Sequence, residues 1–195
     1  YTTAWDALQR SGVGADTRLL VIGANGAVGT AAIALAKVLG ARVLAAVRRI
    51  EQAQVLLEQG LEVLVLDKPE SLGAQVNEVF AGGAEVIFDT TGHWLPAAVS
   101  ALRTFGRIAF IAAPLDGHVH LPALALYRKG GSLVGVNTLL YSCGDCAQRL
   151  NQFGQYFDQG LLPAPGGFQE AALADGLACY AQVNEGACAK VVLIP

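Results

Sequence analysis

The chain is expected to fold as an α/β protein, a doubly wound parallel sheet with helices on both faces. Three observations predict this. Short apolar runs rich in β-formers alternate with longer helical stretches, the pattern of consecutive parallel βαβ units. The composition, 53% hydrophobic and 15% charged, suits a sheet buried on both faces, whose strands read as continuous apolar runs. Glycines punctuate the helical stretches, at Gly40, Gly60, Gly82-Gly83 and Gly160, where a helix is expected to stop.

Taken in order, Leu19–Ile22 reads as the first strand, apolar throughout and followed at once by a glycine-rich turn. A helix over Ala27–Leu39, rich in Ala and Leu, leads to a second strand at Val43–Val47. Glu51–Gln59 is the next helix and Val63–Leu66 the third strand. Leu72–Phe80 (helix), Val86–Phe88 (strand), Pro96–Leu102 (helix) and Ile108–Ile111 (strand) continue the alternation. Ser132–Val136 is the sixth strand, and a helix over Ala147–Phe157 closes the unit. Right-handed crossovers would then open a crevice at the carboxyl ends of strands one and four. Pro163-Ala164-Pro165-Gly166-Gly167 reads as a boundary. It separates a domain over residues 1–162 from a segment over 163–195, which holds an amphipathic stretch, Gln169–Val183, and a last strand, Lys190–Ile194.

Several function classes are excluded. A net charge of −3 offers no basic field for nucleic acid and no polybasic patch for a membrane surface. The longest apolar run, from Leu19 into the 30s, is broken by Gly23, Asn25, Gly26 and Gly29 and ends at Lys37, so no spanning helix is expected. A charged segment leading into an apolar signal core is also missing, and a cytoplasmic location is expected. The cysteines, Cys143, Cys146, Cys179 and Cys188, are expected to be reduced. Cys143 and Cys146 form a C-x-x-C without a second pair or a thioredoxin-like context, and are read as ordinary thiols near a helix start. His118 and His120 alternate like a strand edge but lack a third ligand, so no metal is expected.

The main chemical signal is Gly23-Ala24-Asn25-Gly26-Ala27-Val28-Gly29, directly after a strand and at the mouth of a helix. Gly26 would let the backbone approach a pyrophosphate, and Gly29 would let the helix pack close to the first strand. The helix N-terminus supplies unpaired N–H groups and a positive dipole end. A tight structural turn in another α/β fold is the alternative. About 20 residues further on, an Asp or Glu normally binds the ribose 2′-hydroxyl of NAD. Here the second strand ends in Arg48 and Arg49, which could grip the 2′-phosphate of NADP bidentately. Merely solvated arginines, or a ribose contact from Glu51, are the other readings. No Tyr is followed four residues later by Lys, no G-K-[ST] follows the turn, and no G-x-S-x-G occurs. His93, just past strand four, is read as a loop histidine beside the cofactor.

These residues resemble the cofactor half of the medium-chain dehydrogenase/reductase superfamily, and within it the zinc-independent quinone oxidoreductase and enoyl reductase branch. Thr3-Ala4-Trp5 with Ala7-Leu8 is similar to the family's lead-in helix, expected within residues 1–12. Ala24 stands where the alcohol dehydrogenases place their first glycine, which is the quinone-reductase habit. Phe88-Asp89-Thr90-Thr91-Gly92, Gly106-Arg107-Ile108, Tyr127-Arg128-Lys129-Gly130 through Gly135-Val136-Asn137, and Lys190-Val191-Val192-Leu193 resemble later family segments in order.

The resemblance implies an oxidoreductase using NADP. Gly26, Ala27 and Val28, within the turn from Gly23 through Asn25 to Gly29, would hold the pyrophosphate, and Arg48, with Arg49, the 2′-phosphate. Thr90, Thr91 and Gly92 would flank the nicotinamide, and Ile111, Ala112, Ala113, Val136 and Asn137 would line its pocket. Gln52 stands where quinone reductases often have a phosphate-binding Lys, and Asp67 where many have a Tyr. Both departures leave the phosphate to the two arginines, and Gln52 also removes a proton donor proposed for polyketide-type enoyl reductases. The substrate, an electrophilic small molecule such as a quinone or enone, would be bound largely by a preceding barrel-like domain, to which the tail from about Gly167 would return. A zinc alcohol dehydrogenase and a non-catalytic NADPH-binding module are the competing readings. Finally, Ser132–Val136 has neither proline nor charge to blunt a sheet edge, so a homodimer paired through strand six is expected.

Overall fold

The computed structural model describes residues 1–164, 167–185 and 190–195. The described chain divides into two compact units, Tyr1–Leu162 and Pro163–Pro195. In the larger, the elements run α1 (Thr2–Arg10), β1 (Arg18–Ile22), α2 (Ala27–Val38), β2 (Arg42–Val47), α3 (Ile50–Glu58), β3 (Glu62–Val65), α4 (Leu72–Val79), β4 (Ala84–Asp89), α5 (Leu95–Ala101), β5 (Leu102–Phe110), α6 (Ala123–Arg128), β6 (Ser132–Gly135) and α7 (Cys143–Asp158). The six strands form one sheet in the order β3-β2-β1-β4-β5-β6. Every pairing in it is parallel. The order reverses between β1 and β4, the place where doubly wound sheets open their crevice.

The burial pattern explains why the strands show no polar alternation. Leu19 and Val21 enter a core on one face with Leu8, Leu35, Ala53 and Phe153, from α1, α2, α3 and α7. Leu20 and Ile22 enter a second core on the other face with Leu72, Val76, Phe80 and Leu95. Successive residues of β1 point to opposite faces, and both faces are covered, so all must be apolar.

Four local expectations are corrected. The helix expected from Ala147 begins at Cys143, because Ser142 caps it: the Asp145 amide donates to the Ser142 hydroxyl, and the Ser142 amide donates to the Asp145 carboxylate. Six-residue α6 has no counterpart among the expected elements, being too short to show a helical period and having Pro122 at its N-cap without a side-chain bond. Leu102, expected to end α5, instead opens β5, which is longer than the Ile108–Ile111 run. In the smaller unit, the stretch from Gln169 is not helical at its start. Phe168–Ala172 is a strand, β7, followed by α8 (Gly176–Asn184), and β7 pairs in parallel with β8 (Lys190–Ile194). Cys188, and Pro165 and Gly166 of the boundary motif, lie outside the described residues.

Phe105, inside β5, has φ 61° and is 79% exposed. A left-handed backbone at a residue with a bulky side chain costs about 1 kcal/mol or more.

Candidate functional site

The glycine turn is built by close approach. Gly23 has φ 80°, and a Cβ there would overlap the Thr90 hydroxyl. That hydroxyl donates to the Ile22 carbonyl at 2.8 Å and ties the end of β4 to the end of β1. A Cβ on Gly29 would overlap the Gly23 carbonyl and lie 2.9 Å from the Ala24 Cα, so α2 rests directly on the turn. Gly26 is the N-cap of α2 and contributes no side-chain cap. The first helical amide bond is Thr30 to the Gly26 carbonyl. The amides of Ala27, Val28 and Gly29 are therefore left without intrahelical acceptors, at the positive end of the helix dipole. This arrangement fits a pyrophosphate.

The turn forms one wall of a crevice of about 510 Å³. Gly23, Asn25, Gly26, Arg48, Thr90 and Thr91, all expected in the site, line it together. Val47, Leu66 and Trp94, absent from the expected set, also line it, as does His93, expected only as a loop histidine. A signal existed for these residues: each lies at or just beyond the carboxyl end of β2, β3 or β4, where ligands meet such sheets. Among the described residues, no aspartate or glutamate lines the crevice.

The rest of the expected set is dispersed. Gly92, Ala112 and Ala113 line a separate, mainly apolar depression of about 300 Å³, with Leu95, Phe110 and Leu133. Ala27, Val28 and Gly29 sit in the first turn of α2, Arg49 is the N-cap of α3, and none of them lines the crevice. Ile111 is half-buried, and Val136 is buried in the core on the α2 face. The Asn137 side chain accepts from the Leu139 amide. This segment is tied to α1: the Arg10 guanidinium donates to the Gly135 carbonyl at 2.7 Å, and the Tyr141 hydroxyl donates to Asp6.

Asp89 organises the loop along the crevice, a role that the sequence does not reveal. It is fully buried. Its Oδ1 accepts from the amide and hydroxyl of Thr91, both at 2.8 Å, and from the Gly92 amide at 3.1 Å. Its Oδ2 accepts from the Trp94 amide at 3.0 Å. A buried carboxylate needs several such donors, and these hold Thr90–Trp94 in one conformation.

Among the described residues, no group of three or more His, Cys, Asp or Glu is placed to hold a metal ion, and no helix is long and apolar enough to cross a membrane. Cys143, Cys146 and Cys179 carry free thiols.

A doubly wound sheet with a glycine turn, a bare helix N-terminus and a crevice at its switch point defines a dinucleotide-binding domain. Comparison with known proteins places it more narrowly. The profile of a family described as zinc-binding dehydrogenase matches residues 27–152. A zinc-type alcohol dehydrogenase-like protein of Schizosaccharomyces pombe is 29% identical over 164 residues, covering 82% of this chain and 47% of that protein. The crystal structure of an NAD-dependent alcohol dehydrogenase superposes with a TM-score of 0.83 at 26% identity, over 99% of this chain and 55% of the other. The CurK enoyl reductase shares the fold, with a TM-score of 0.80 at 18% identity, over 98% of this chain and 59% of the other. The chain belongs to the zinc-binding dehydrogenase family, as the doubly wound cofactor half of the medium-chain dehydrogenase/reductase superfamily. It spans about half the length of the curated relative it matches.

Proposed function

We propose that this chain is the NADPH-binding domain of an oxidoreductase that reduces a conjugated carbonyl, such as a quinone, an enone or an enoyl thioester. The observation that carries the cofactor choice is the crevice lining: Arg48 is exposed on its rim, and among the described residues no aspartate or glutamate lines it. An NAD-selective site places an acidic residue there to hold the ribose 2′-hydroxyl, whereas a guanidinium suits a 2′-phosphate. The amides of Ala27, Val28 and Gly29 would bind the pyrophosphate, and Leu66 with Val47 would pack against the adenine. Thr90, Thr91 and Gly92 would orient the nicotinamide, with Ala112 and Ala113 beyond them. Bound nicotinamide supplies a hydride; the domain's own part is to seat, align and shield it.

Ala24 in the first glycine position supports the zinc-independent branch. The relatives described as zinc-type and NAD-dependent alcohol dehydrogenases favour the competing reading, a zinc alcohol dehydrogenase using NAD. The substrate would be held mainly by sequence outside this chain, toward which residues 163–195 would return. The position of β6 as the outermost strand of the sheet supports a homodimer whose sheet continues through both copies, with Arg10 having to release the Gly135 carbonyl for full pairing.

Calorimetry with the two cofactors tests the reading. A charge-assisted contact of about 1.5–3 kcal/mol predicts NADPH binding at least tenfold tighter than NADH, with most of the gap removed by Arg48→Ala. Equal affinities would refute the NADPH assignment. Turnover of quinones, and metal content, measured on the full-length protein separate the conjugated-carbonyl reductase from the zinc enzyme and from a non-catalytic module.

A further inference from the structure

A second concavity, of about 560 Å³, lies at the opposite end of the sheet from the dinucleotide crevice. It is lined by Gly12 and Thr17, which precede β1, by Glu85 of β4, and by Arg103, Phe105 and Arg107 of β5. Three features set it apart from a solvated surface.

Its charge is the first. Glu85 accepts from Arg103 Nη1 at 2.6 Å and from the Arg18 backbone amide at 3.0 Å, and the Arg18 guanidinium lies 3.6 Å from it. Two arginines thus engage one carboxylate, and a third, Arg107, lines the same groove, on a chain whose net charge is −3. That carboxylate is already engaged by Arg18 and Arg103, which leaves Arg107 as the cation without an ionic partner among the described residues.

The second is the way Arg107 is held. Its Nη1 donates to the Ser11 carbonyl at 3.0 Å, and Gly12 makes room for it, since a Cβ at Gly12 would lie 3.2 Å from that nitrogen. A guanidinium has five N–H donors in a fixed plane. One of them anchors Arg107 to the backbone, and the others stay available to a planar or tetrahedral anion.

The third is Phe105. Its left-handed backbone suits glycine, and its ring is largely in water apart from its packing on Gly130. Stability alone favours glycine at such a position, so an aromatic side chain kept there against backbone strain points to a use.

We propose that this groove is a second ligand site, for a small organic anion whose carboxylate or phosphate is carried near a flat ring. The anion pairs with Arg107 and Arg103, and the ring stacks on Phe105. The site is separate from the dinucleotide crevice and does not depend on which dinucleotide, if any, binds there.

The test is calorimetric titration of the chain, in the presence of excess NADPH and NADH together, using AMP, benzoate and inorganic phosphate as probes. All three are expected to bind at a single site, and Arg107→Gln is expected to weaken each at least tenfold. Phe105→Gly, which removes the strain and should fold at least as well, is expected to weaken AMP and benzoate severalfold while leaving inorganic phosphate unchanged. Arg48→Gln, in the dinucleotide crevice, is expected to leave all three unchanged. Absence of saturable binding up to about 10 mM overturns the proposal. So does binding that survives Arg107→Gln but is lost in Arg48→Gln, which would assign the anion to the dinucleotide crevice.

Discussion

Replacing Asp89 by asparagine keeps the shape of the side chain and removes its charge. In the structure this fully buried carboxylate accepts four hydrogen bonds, three on Oδ1 and one on Oδ2. The asparagine oxygen can take the three from Thr91 and Gly92. Its amide nitrogen must then face the Trp94 N–H, placing two donors together at about the present 3.0 Å. Losing one charge-assisted bond and stranding a buried donor amounts to about 3 kcal/mol, taken from a typical total near 5–15 kcal/mol. The variant should fold yet unfold at distinctly lower urea, with an unchanged slope. Trp5 and Trp94, both in the larger unit, report the transition by fluorescence. NADPH affinity should fall with it, because the Thr90–Trp94 loop forms a wall of the crevice. An Asp89→Asn variant as stable as the parent to within about 0.5 kcal/mol would refute the role assigned to this carboxylate.

Further outcomes follow from the same contacts. Gly29→Ala places a methyl against the backbone of Gly23 and Ala24, neither of which can yield without moving α2. A loss of about 2–3 kcal/mol in thermal stability, with dinucleotide binding abolished in calorimetry, is expected. The Arg18 amide, followed by the charges of Arg18 and Arg103, holds the Glu85 carboxyl below the usual carboxylate range. Its stabilisation is therefore present above the ordinary glutamate value and is lost as pH falls through the lowered one. The side chain is one-third exposed, so Glu85→Gln should lower the stability difference between about pH 6 and pH 3 by less than about 1 kcal/mol, measured by urea titration at each pH. The Val136 amide donates to Phe110 of β5. By alternation the Val134 amide also faces β5, whereas those of Leu133 and Gly135 face outward. If β6 pairs with its own copy, Leu133→Pro should give a folded monomer by light scattering of the full-length protein, and a persistent dimer would exclude this interface.

Much of the fold was legible because its causes are local. A strand buried on both faces must be apolar at every position, as in Leu19–Ile22, and a helix meeting a left-handed glycine must stop, as at Gly40 and Gly60. The glycine turn was legible in part for the same reason: Gly29 packs against the backbone of Gly23 and Ala24, within seven residues, whereas the close approach of Gly23 to Thr90 joins distant segments. Where the local signal was short, as in six-residue α6, or rested on one capping residue, as at Ser142 before α7, boundaries slipped.

The site itself was decided by tertiary structure. Arg48, Leu66 and Trp94 meet at one crevice only because β1 is flanked by β2 and β4, an adjacency between segments up to 68 residues apart, as in the Thr90–Ile22 bond. The partners of Asp89 are mostly backbone amides, which every residue but proline carries, so no side-chain pattern could announce them. Nor could the sequence show that Phe105 sits in a left-handed conformation beside Arg107 and Arg103. Side-chain chemistry is written residue by residue, whereas which surfaces converge depends on strand order and backbone angles, and these are settled only when both faces of the sheet are covered.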